Sequence, residues 1–190
     1  MPDPNSSDSG NFTRRIPEGD DRGRLVCDDC GFIHYENPQI VVGSVASWEG
    51  RILLCRRAIP PRKGYWTLPA GYLELGESAE AGAVREAWEE ARADLEIDQL
   101  LAIYSIPRIS QVQLIYRARL KSPAVEAGPE SQEVGLFRFD EIPTEEIAFP
   151  SVHWALKDYR ETLDQAVFAP RTAPVVRAPP IAVPGEPDRN

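Results

Sequence analysis

The stretch Gly71–Leu95, GYLELGESAEAGAVREAWEEARADL, carries an unusual density of glutamates. Glu86, Glu89 and Glu90 fall within five residues of one another, and Ser78 stands where the N-cap of a helix would be. At about 100° per residue, the three side chains lie within about 100° of one another on a helix. Like charges at this spacing destabilise an isolated helix. The cluster therefore indicates either a solvated face or a seat for a divalent cation.

The other face of the same helix is predicted to pack against the protein. Five apolar residues fall into one stripe at helical spacing: Val84, Ala87, Trp88, Ala91 and Leu95. The glutamates would then lie opposite the core. Gly82, one turn before Glu86, would leave room for something to approach that face.

Composition narrows the function classes. The chain has 190 residues and a formal net charge of −9, which argues against a general nucleic-acid binder. An anionic substrate would need cations or local arginines as a bridge. The first twelve residues have no apolar core typical of a signal peptide, and no run approaches the roughly 18 apolar residues of a membrane span. We therefore expect a cytoplasmic protein with no membrane partner and with reduced cysteines.

Both ends of the chain differ from its middle. Residues 1–22 are polar without periodicity and predict a flexible arm, and residues 168–190 are rich in proline and predict a flexible tail. Between them the pattern favours an α/β fold, a mixed sheet with helices packed on it. The predicted strands are 39–48, 51–57, 100–106, 112–120 and 133–139, and a helix is predicted over 151–166 with Ser151 as its cap. Glu49-Gly50 is predicted to join the first two strands as a hairpin, and Pro and Gly make the segment 67–73 short and irregular.

The glutamate-rich stretch resembles the Nudix box of the Nudix hydrolases. Six positions match the spacing of that signature: Gly71, Glu77, Arg85, Glu86, Glu89 and Glu90. Arg92-Ala93 stands where the box normally ends in glycine and an aliphatic residue, so the geometry at the end of the helix is open. The resemblance implies a Nudix fold over 39–167, a mixed β-sheet sandwiched between α-helices.

The resemblance also implies a chemistry. Glu86, Glu89, Glu90 and the backbone of Gly71 would hold Mg²⁺ or Mn²⁺, while Glu77 and Arg85 would brace the loop and helix. Water would attack phosphorus and split a nucleoside diphosphate from the group linked to it. The general base varies in the family, and three candidates stay open: Glu89, Glu130 and Glu133.

Flanking sequence from about residue 20 to 165 is similar to the subgroup of Nudix enzymes that cleave dinucleotides. The sequence ISQVQLIY lacks the array typical of NADH-specific members, which favours FAD or ADP-ribose as the small-molecule nucleotide. The candidate substrate-binding residues are Arg57, Trp66, Arg108 and Gln111. The alternatives are sanitation of modified nucleoside triphosphates and a non-catalytic regulator that binds a nucleotide.

Members of this subgroup often carry an N-terminal zinc ribbon with two pairs of cysteines. Residues 23–38 retain one pair, Cys27 and Cys30. Because a structural zinc site wants four ligands, the sequence favours a degenerate ribbon without zinc. A site within one chain, or one shared between the subunits of the homodimer common in this family, is the alternative.

Overall fold

A computed structural model describes residues 11–174 and divides the chain into two compact units, with the boundary between Pro38 and Gln39. In the first unit three strands form an antiparallel sheet: β1 (Phe12–Arg15), β2 (Arg24–Cys27) and β3 (Ile33–His34). The flexible arm predicted over 1–22 therefore needs correction, because β1 pairs with β2 along its whole length. Residues 1–10 lie outside the described range.

Polar contacts tie the strands of the first unit together. The hydroxyl of Thr13 donates to Asp28 at 2.7 Å, and Arg15 lies 3.3 Å from the same carboxylate. The guanidinium of Arg24 donates to Asp20 at 2.9 Å. These contacts add to the backbone pairing of β1 with β2 and of β2 with β3.

The second unit is built on a mixed sheet flanked by two helices. Within residues 11–174 this sheet has eight strands, in the order β10-β5-β4-β9-β8-β11, with β6 paired to β5 and β7 paired to β4. The bounds are β4 (Gln39–Trp48), β5 (Arg51–Arg57), β6 (Trp66–Thr67), β7 (Ala70–Tyr72), α1 (Ala79–Ala91), β8 (Leu95–Ile106), β9 (Gln111–Leu120), β10 (Ser131–Phe137), α2 (Pro150–Thr162) and β11 (Arg171–Thr172). The central pair β4 and β9 is parallel. The predicted fold class, a mixed sheet sandwiched between helices, is confirmed.

Local chemistry explains where the strands break. Glu49 and Gly50 both have positive φ, 46° and 77°, as a two-residue hairpin between β4 and β5 requires. Pro69, which has no N–H to donate, separates β6 from β7, in agreement with the short and irregular structure predicted over 67–73.

Two boundaries differ from the prediction for similar reasons. The second helix begins at Pro150 with Phe149 as N-cap, in place of Ser151, because proline is well suited to the first helical position. In the predicted tail, Arg171–Thr172 pairs in parallel with β8, between two prolines that limit the strand to these residues. Residues 175–190 lie outside the described range.

Each helix covers part of the sheet with apolar side chains. A larger cluster joins the sheet to α2 through Val152, Ala155, Leu156 and Tyr159, and a smaller one joins it to α1 through Ala87 and Ala91. In the part of the chain that the structure describes, no helix is long and apolar enough to cross a membrane. Because the side chains of Ala87 and Ala91 are small, α1 packs close to the sheet and to the loop after β7.

Candidate active site

Helix α1 presents two of its glutamates to the interior. Ser78 accepts a hydrogen bond from the backbone N–H of Ala81 at 3.2 Å and so caps the helix as predicted. Glu86 and Glu90 are only 9% and 6% exposed, whereas Trp88 is 51% exposed. The predicted apolar stripe is therefore wrong in its centre. The buried face of α1 consists of small residues and these two carboxylates: Gly82, Ala83, Glu86, Ala87, Glu90 and Ala91.

The backbone of β7 fits closely around this buried pair. A Cβ added to Gly71 would overlap the carboxylate of Glu86. The backbone N–H of Ala70 donates to Glu90 at 3.3 Å. Glycine at position 71 is thus required because it lets the strand backbone approach the carboxylate.

Burial makes the negative charge of this pair costly. Loss of hydration, together with the charge of the neighbouring Glu86, raises the pKa of Glu90 to about 8, although the Ala70 N–H and Arg57 favour the ionised form. Burial also raises the pKa of Glu86, although Arg85 favours its ionised form. Two buried carboxylates that repel each other are stabilised by a cation placed between them.

A hard divalent cation fits this donor set. Within residues 11–174 no group of three or more His, Cys, Asp or Glu side chains is arranged so that it could hold a metal ion by itself. Mg²⁺, however, is usually held by one or two carboxylates together with substrate phosphates. Glu86, Glu90 and the adjacent backbone of Gly71 would hold such an ion, and a phosphate-bearing substrate would complete its coordination.

Arg85 connects the box loop to the helix. Its guanidinium donates to both carboxylate oxygens of Glu77, at 3.0 and 2.8 Å, and to the carbonyl of Tyr72 at 3.0 Å. It also donates to Glu86 at 2.8 Å and to Glu89 at 2.9 Å. The hydrogen bonds from Arg85 lower the pKa of Glu77 to about 2. This geometry supports the bracing role that the resemblance implies for Glu77 and Arg85.

Glu89, the third glutamate of the predicted cluster, lies apart from the buried pair. The side chain of Glu89 is 54% exposed and is held by Arg85. Its predicted part in metal binding or catalysis stays a prediction.

The two loop candidates for the general base occupy different surroundings. Gly128, two residues before Glu130, donates its backbone N–H to the carbonyl of Glu90 at 2.9 Å, and the charge of Glu130 raises the pKa of Glu86 and Glu90. Glu133 lies 3.5 Å from Arg56 with 57% of its side chain exposed. The segment that carries Glu130 is therefore bonded to the end of α1, whereas Glu133 lies on β10 beside Arg56.

Among the predicted substrate-binding residues, Trp66 needs correction. It is 5% exposed and packs edge-to-face against Phe137 with ring centroids 4.9 Å apart. A ring in this position belongs to the core and has no free face for a base or flavin. The sequence around Trp66 did not distinguish a core residue from a substrate-binding one, because the residue lies beside the box in a run of aromatic and apolar residues.

The remaining predicted residues lie near exposed edges of the second unit. Arg57 donates to the carbonyls of Pro61 and Pro60 at 2.8 and 3.4 Å. Its positive charge favours the ionised form of Glu90 and so acts to lower the pKa of that carboxyl. Arg108 is exposed in the turn that follows β8. The amide of Gln111 lies 3.4 Å from the hydroxyl of Tyr72.

Tyr72 is a candidate binding residue that the sequence interpretation missed. It follows Gly71 directly and is 50% exposed. The amide of Gln113 donates to Gln111 at 3.4 Å, so two amides and a phenol form one polar edge. The available signal was the alternation in β9, which places Gln111 and Gln113 on the same side of that strand.

Arg92 is the C-cap residue of α1, where a Nudix box usually has glycine. It adopts the left-handed conformation at φ 50° and ψ 28°, and its N–H bonds to the carbonyl of Trp88 at 2.9 Å. Its guanidinium lies 5.9 Å from the centre of the exposed Trp88 ring. The departure from the box therefore preserves the turn, with a strained backbone partly offset by a cation–π contact.

We expect Arg92→Gly to be more stable than Arg92→Ala by about 1 kcal/mol, because only alanine retains the left-handed strain. Both variants lose the contact with Trp88, so their difference isolates the backbone. Urea unfolding of the two variants measures it. Equal midpoints and slopes would contradict the strain.

Comparisons with known proteins agree with this geometry. The NUDIX domain model matches residues 37–156, and the model of the Nudix N-terminal zinc ribbon matches residues 9–36. A crystal structure of a NUDIX hydrolase from Nitrosomonas europaea is 46% identical and superimposes with a TM-score of 0.82, covering 88% of this chain and 97% of that one. The chain belongs to the Nudix hydrolase family, whose members generally use divalent metal ions.

Two curated relatives carry more specific names. An ADP-ribose pyrophosphatase from Methanocaldococcus jannaschii is 30% identical over 129 residues, 66% of this chain and 75% of that protein. The NAD-capped RNA hydrolase NudC of Stutzerimonas stutzeri is 29% identical over 122 residues, 63% of this chain. The chain spans only 43% of the length of that second relative.

In the described part of the first unit, residues 11–38 (the ribbon unit), Cys27 and Cys30 are the two cysteines that could bind zinc. Cys27 is buried and Cys30 is exposed, and backbone N–H groups of Cys30 and Asp29 lower the pKa of Cys27. The remaining cysteine of the sequence, Cys55, is buried in strand β5 of the other unit. Two thiols fall short of the four ligands of a structural zinc site.

We expect protein purified without added zinc to contain far less than one zinc per chain, because only two thiols are available in the ribbon unit. Elemental analysis of the purified protein measures this ratio. One zinc per chain would contradict the expectation. One zinc per two chains would instead indicate a site shared by Cys27 and Cys30 of two subunits.

Proposed function

We propose that this protein hydrolyses the pyrophosphate bond of ADP-ribose with Mg²⁺ or Mn²⁺ held by Glu86, Glu90 and Gly71. The observation that carries the proposal is the buried pair of carboxylates pressed against a glycine backbone. The choice of ADP-ribose is supported by the named activity of the Methanocaldococcus jannaschii relative. FAD is the second substrate of the same chemical class.

The charges of the chain are consistent with a substrate that arrives with a metal. With a net charge of −9, the protein repels a free pyrophosphate at long range. When bound, a divalent cation neutralises the pyrophosphate and lowers the pKa of coordinated water. Glu86 and Glu90 would supply carboxylate oxygens to such an ion, with Glu90 releasing its proton as the ion binds, and Arg85 keeps Glu86 oriented through a bond of 2.8 Å.

Glu130 is the proposed general base. The proposal is supported by the backbone bond from Gly128 to the carbonyl of Glu90 at 2.9 Å, which ties the segment of Glu130 to α1, and by the charge of Glu130, which raises the pKa of Glu86 and Glu90. It would accept a proton from the attacking water, whose oxygen forms a new bond to phosphorus. The bridging P–O bond breaks, and the products are two phosphate monoesters.

The polar edge of Tyr72, Gln111 and Gln113 is proposed to receive the nucleoside. The amide of Gln111 lies 3.4 Å from the Tyr72 hydroxyl, and the amide of Gln113 lies 3.4 Å from that of Gln111. Both amides carry hydrogen-bond donors and acceptors that would bind a base or ribose. The half-exposed Tyr72 ring offers a stacking surface directly after Gly71. Arg108, in the turn before Gln111, would meet a phosphate.

A substrate panel with Mg²⁺ or Mn²⁺ tests the proposal. The panel comprises ADP-ribose, FAD, NADH, NAD-capped RNA and oxidised nucleoside triphosphates, with product phosphates measured after each reaction. We expect ADP-ribose to give the highest kcat/KM, and the same panel with Glu90→Gln provides the blank. Preferred turnover of triphosphates would favour sanitation, and turnover of none would favour a nucleotide-binding regulator.

Three sequence predictions remain untested. NAD-capped RNA belongs in the panel because a relative is named as its hydrolase, so the expected absence of a nucleic-acid partner stays a prediction. A homodimer and a cytoplasmic location likewise stay predictions. Size-exclusion chromatography with light scattering measures the assembly directly.

A further inference from the structure

The segment 121–130 between β9 and β10 is fastened to the last turn of α1. The backbone N–H of Gly128 donates to the carbonyl of Glu90 at 2.9 Å, and that of Glu126 donates to Ala91 at 2.9 Å. The final carbonyls of a helix have no intrahelical partner. The segment therefore satisfies the end of the helix that carries the buried carboxylates.

Gly128 lies too close to α1 for any side chain. A Cβ at this position would stand 2.8 Å from the carbonyl carbon of Glu89 and 3.2 Å from that of Glu90, and it would overlap the carbonyl oxygen of Glu89. The φ of Gly128 lies outside the left-handed region. Glycine is thus required here by close contact and not by its conformational freedom.

Glu130 is attached to this contact by a short chain of backbone bonds. The N–H of Ser131 donates to the carbonyl of Gly128 at 3.0 Å, which closes a turn around Glu130. The carbonyl of Glu130 in turn accepts from Ala58 at 2.7 Å. The main chain of Glu130 is consequently held between α1 on one side and the end of β5 on the other.

We propose that Gly128 is a positioning residue: its direct contact with α1 sets the distance from the Glu130 carboxylate to Glu86 and Glu90. The inference rests on the proposed function, in which Glu130 is the base. Any side chain at position 128 pushes the segment away from the helix. A displacement of about 1 Å at a catalytic group can lower a rate about 10²-fold.

The experiment is a double-mutant cycle of Gly128→Ala and Glu130→Gln, assayed with Mg²⁺ and ADP-ribose. We expect Gly128→Ala to lower kcat at least about 10-fold with KM changed less than about 3-fold, since the reacting geometry moves and the nucleoside edge does not. We expect the double variant to be no slower than Glu130→Gln alone, within about 2-fold, because both changes act through one group.

Gly50→Ala provides the matched control. Gly50 has φ 77° in the β4–β5 hairpin, so alanine there strains the fold without touching α1 or segment 121–130. We expect this variant to lose thermal stability while kcat stays at the wild-type value. An equal loss of kcat in Gly50→Ala would show that Gly128→Ala acts through general destabilisation, and would overturn the inference.

If Gly128→Ala does not fold, a second variant, Pro129→Gly, tests the same positioning role. Pro129 is exposed, and Pro129→Gly loosens the same segment without adding bulk. We expect a smaller fall in kcat that disappears in the Glu130→Gln background. A wild-type kcat in the variant that folds, or losses that multiply with Glu130→Gln, would overturn the inference. A fully active Glu130→Gln would instead refute the proposed base itself.

Discussion

Replacing Glu90 with glutamine is expected to lower kcat by at least about 10²-fold, as the loss of a metal ligand does. Glu90 is one of two carboxylates buried beside Gly71, and glutamine keeps its size while removing its charge. The Mg²⁺ concentration needed for half-maximal rate should rise in parallel. Steady-state kinetics over a range of Mg²⁺ concentrations measures both effects.

The same substitution is expected to stabilise the protein when metal is removed with EDTA. The pKa of Glu90 is raised by burial to about 8, above its ordinary value of 4.5. The folded state therefore holds a proton that the unfolded state releases, and stability falls as the pH rises from about 4.5 to about 8. Glutamine does not titrate, so the Tm advantage of Glu90→Gln should be larger at pH 8 than at pH 5.

Glu74→Gln is the matched control for both experiments. Glu74 is exposed in the loop of the box and undergoes the same change of charge. We expect its kcat and its dependence of Tm on pH to equal those of the wild type. Wild-type activity in Glu90→Gln would contradict the assigned metal seat.

Glu130→Gln is expected to lower kcat by about 10²- to 10⁴-fold, the range observed for loss of a general base. KM and the Mg²⁺ requirement should change little, because Glu130 belongs to the loop and not to the buried pair on α1. The acidic limb of the pH–rate profile, which reports protonation of the base, should flatten. Stopped assays between pH 5 and 9 measure these quantities.

Glu133→Gln distinguishes the base from its neighbour. It alters the same side-chain type three residues away, where the carboxylate is exposed and lies 3.5 Å from Arg56. We expect its kcat to fall less than about 5-fold, the scale of an exposed ion pair. A large loss in Glu133→Gln with full activity in Glu130→Gln would reverse the assignment.

Much of the fold could be predicted because local chemistry and pattern agree there. The spacing from Gly71 to Glu90 identified the family, which the match of the NUDIX domain model to residues 37–156 bears out. Ser78 was predicted to cap α1, and Glu49-Gly50 was predicted to join two strands; the structure confirms both. Each of these features depends on residues within a few positions of one another.

The orientation of α1 could not be predicted from the same pattern. The apolar periodicity of the helix predicted that Trp88 packs in the core and that the glutamates lie on the opposite face. The structure instead buries Glu86 and Glu90 and exposes Trp88. Hydrophobicity alone assigns carboxylates to the solvent, since burial of charge is costly. In the proposed function a bound cation would offset that cost, and the exposed indole of Trp88 lies 5.9 Å from the guanidinium of Arg92.

The remaining misses depend on contacts between distant segments. Trp66 lies beside the box in sequence, yet it packs against Phe137 of β10. Gly128 is separated from Glu90 by the whole of β8 and β9, and its close contact with α1 left no local signal. Residues of this kind become evident only once the strands are paired.

The proposed hydrolysis is tested most directly by the reaction of the wild-type protein with ADP-ribose and Mg²⁺ in water enriched in ¹⁸O, followed by mass spectrometry of the products. We expect AMP and ribose 5-phosphate, with one ¹⁸O in one of the two phosphates and no reaction by Glu90→Gln. Intact ADP-ribose, under conditions in which nucleoside triphosphates are hydrolysed, would contradict it.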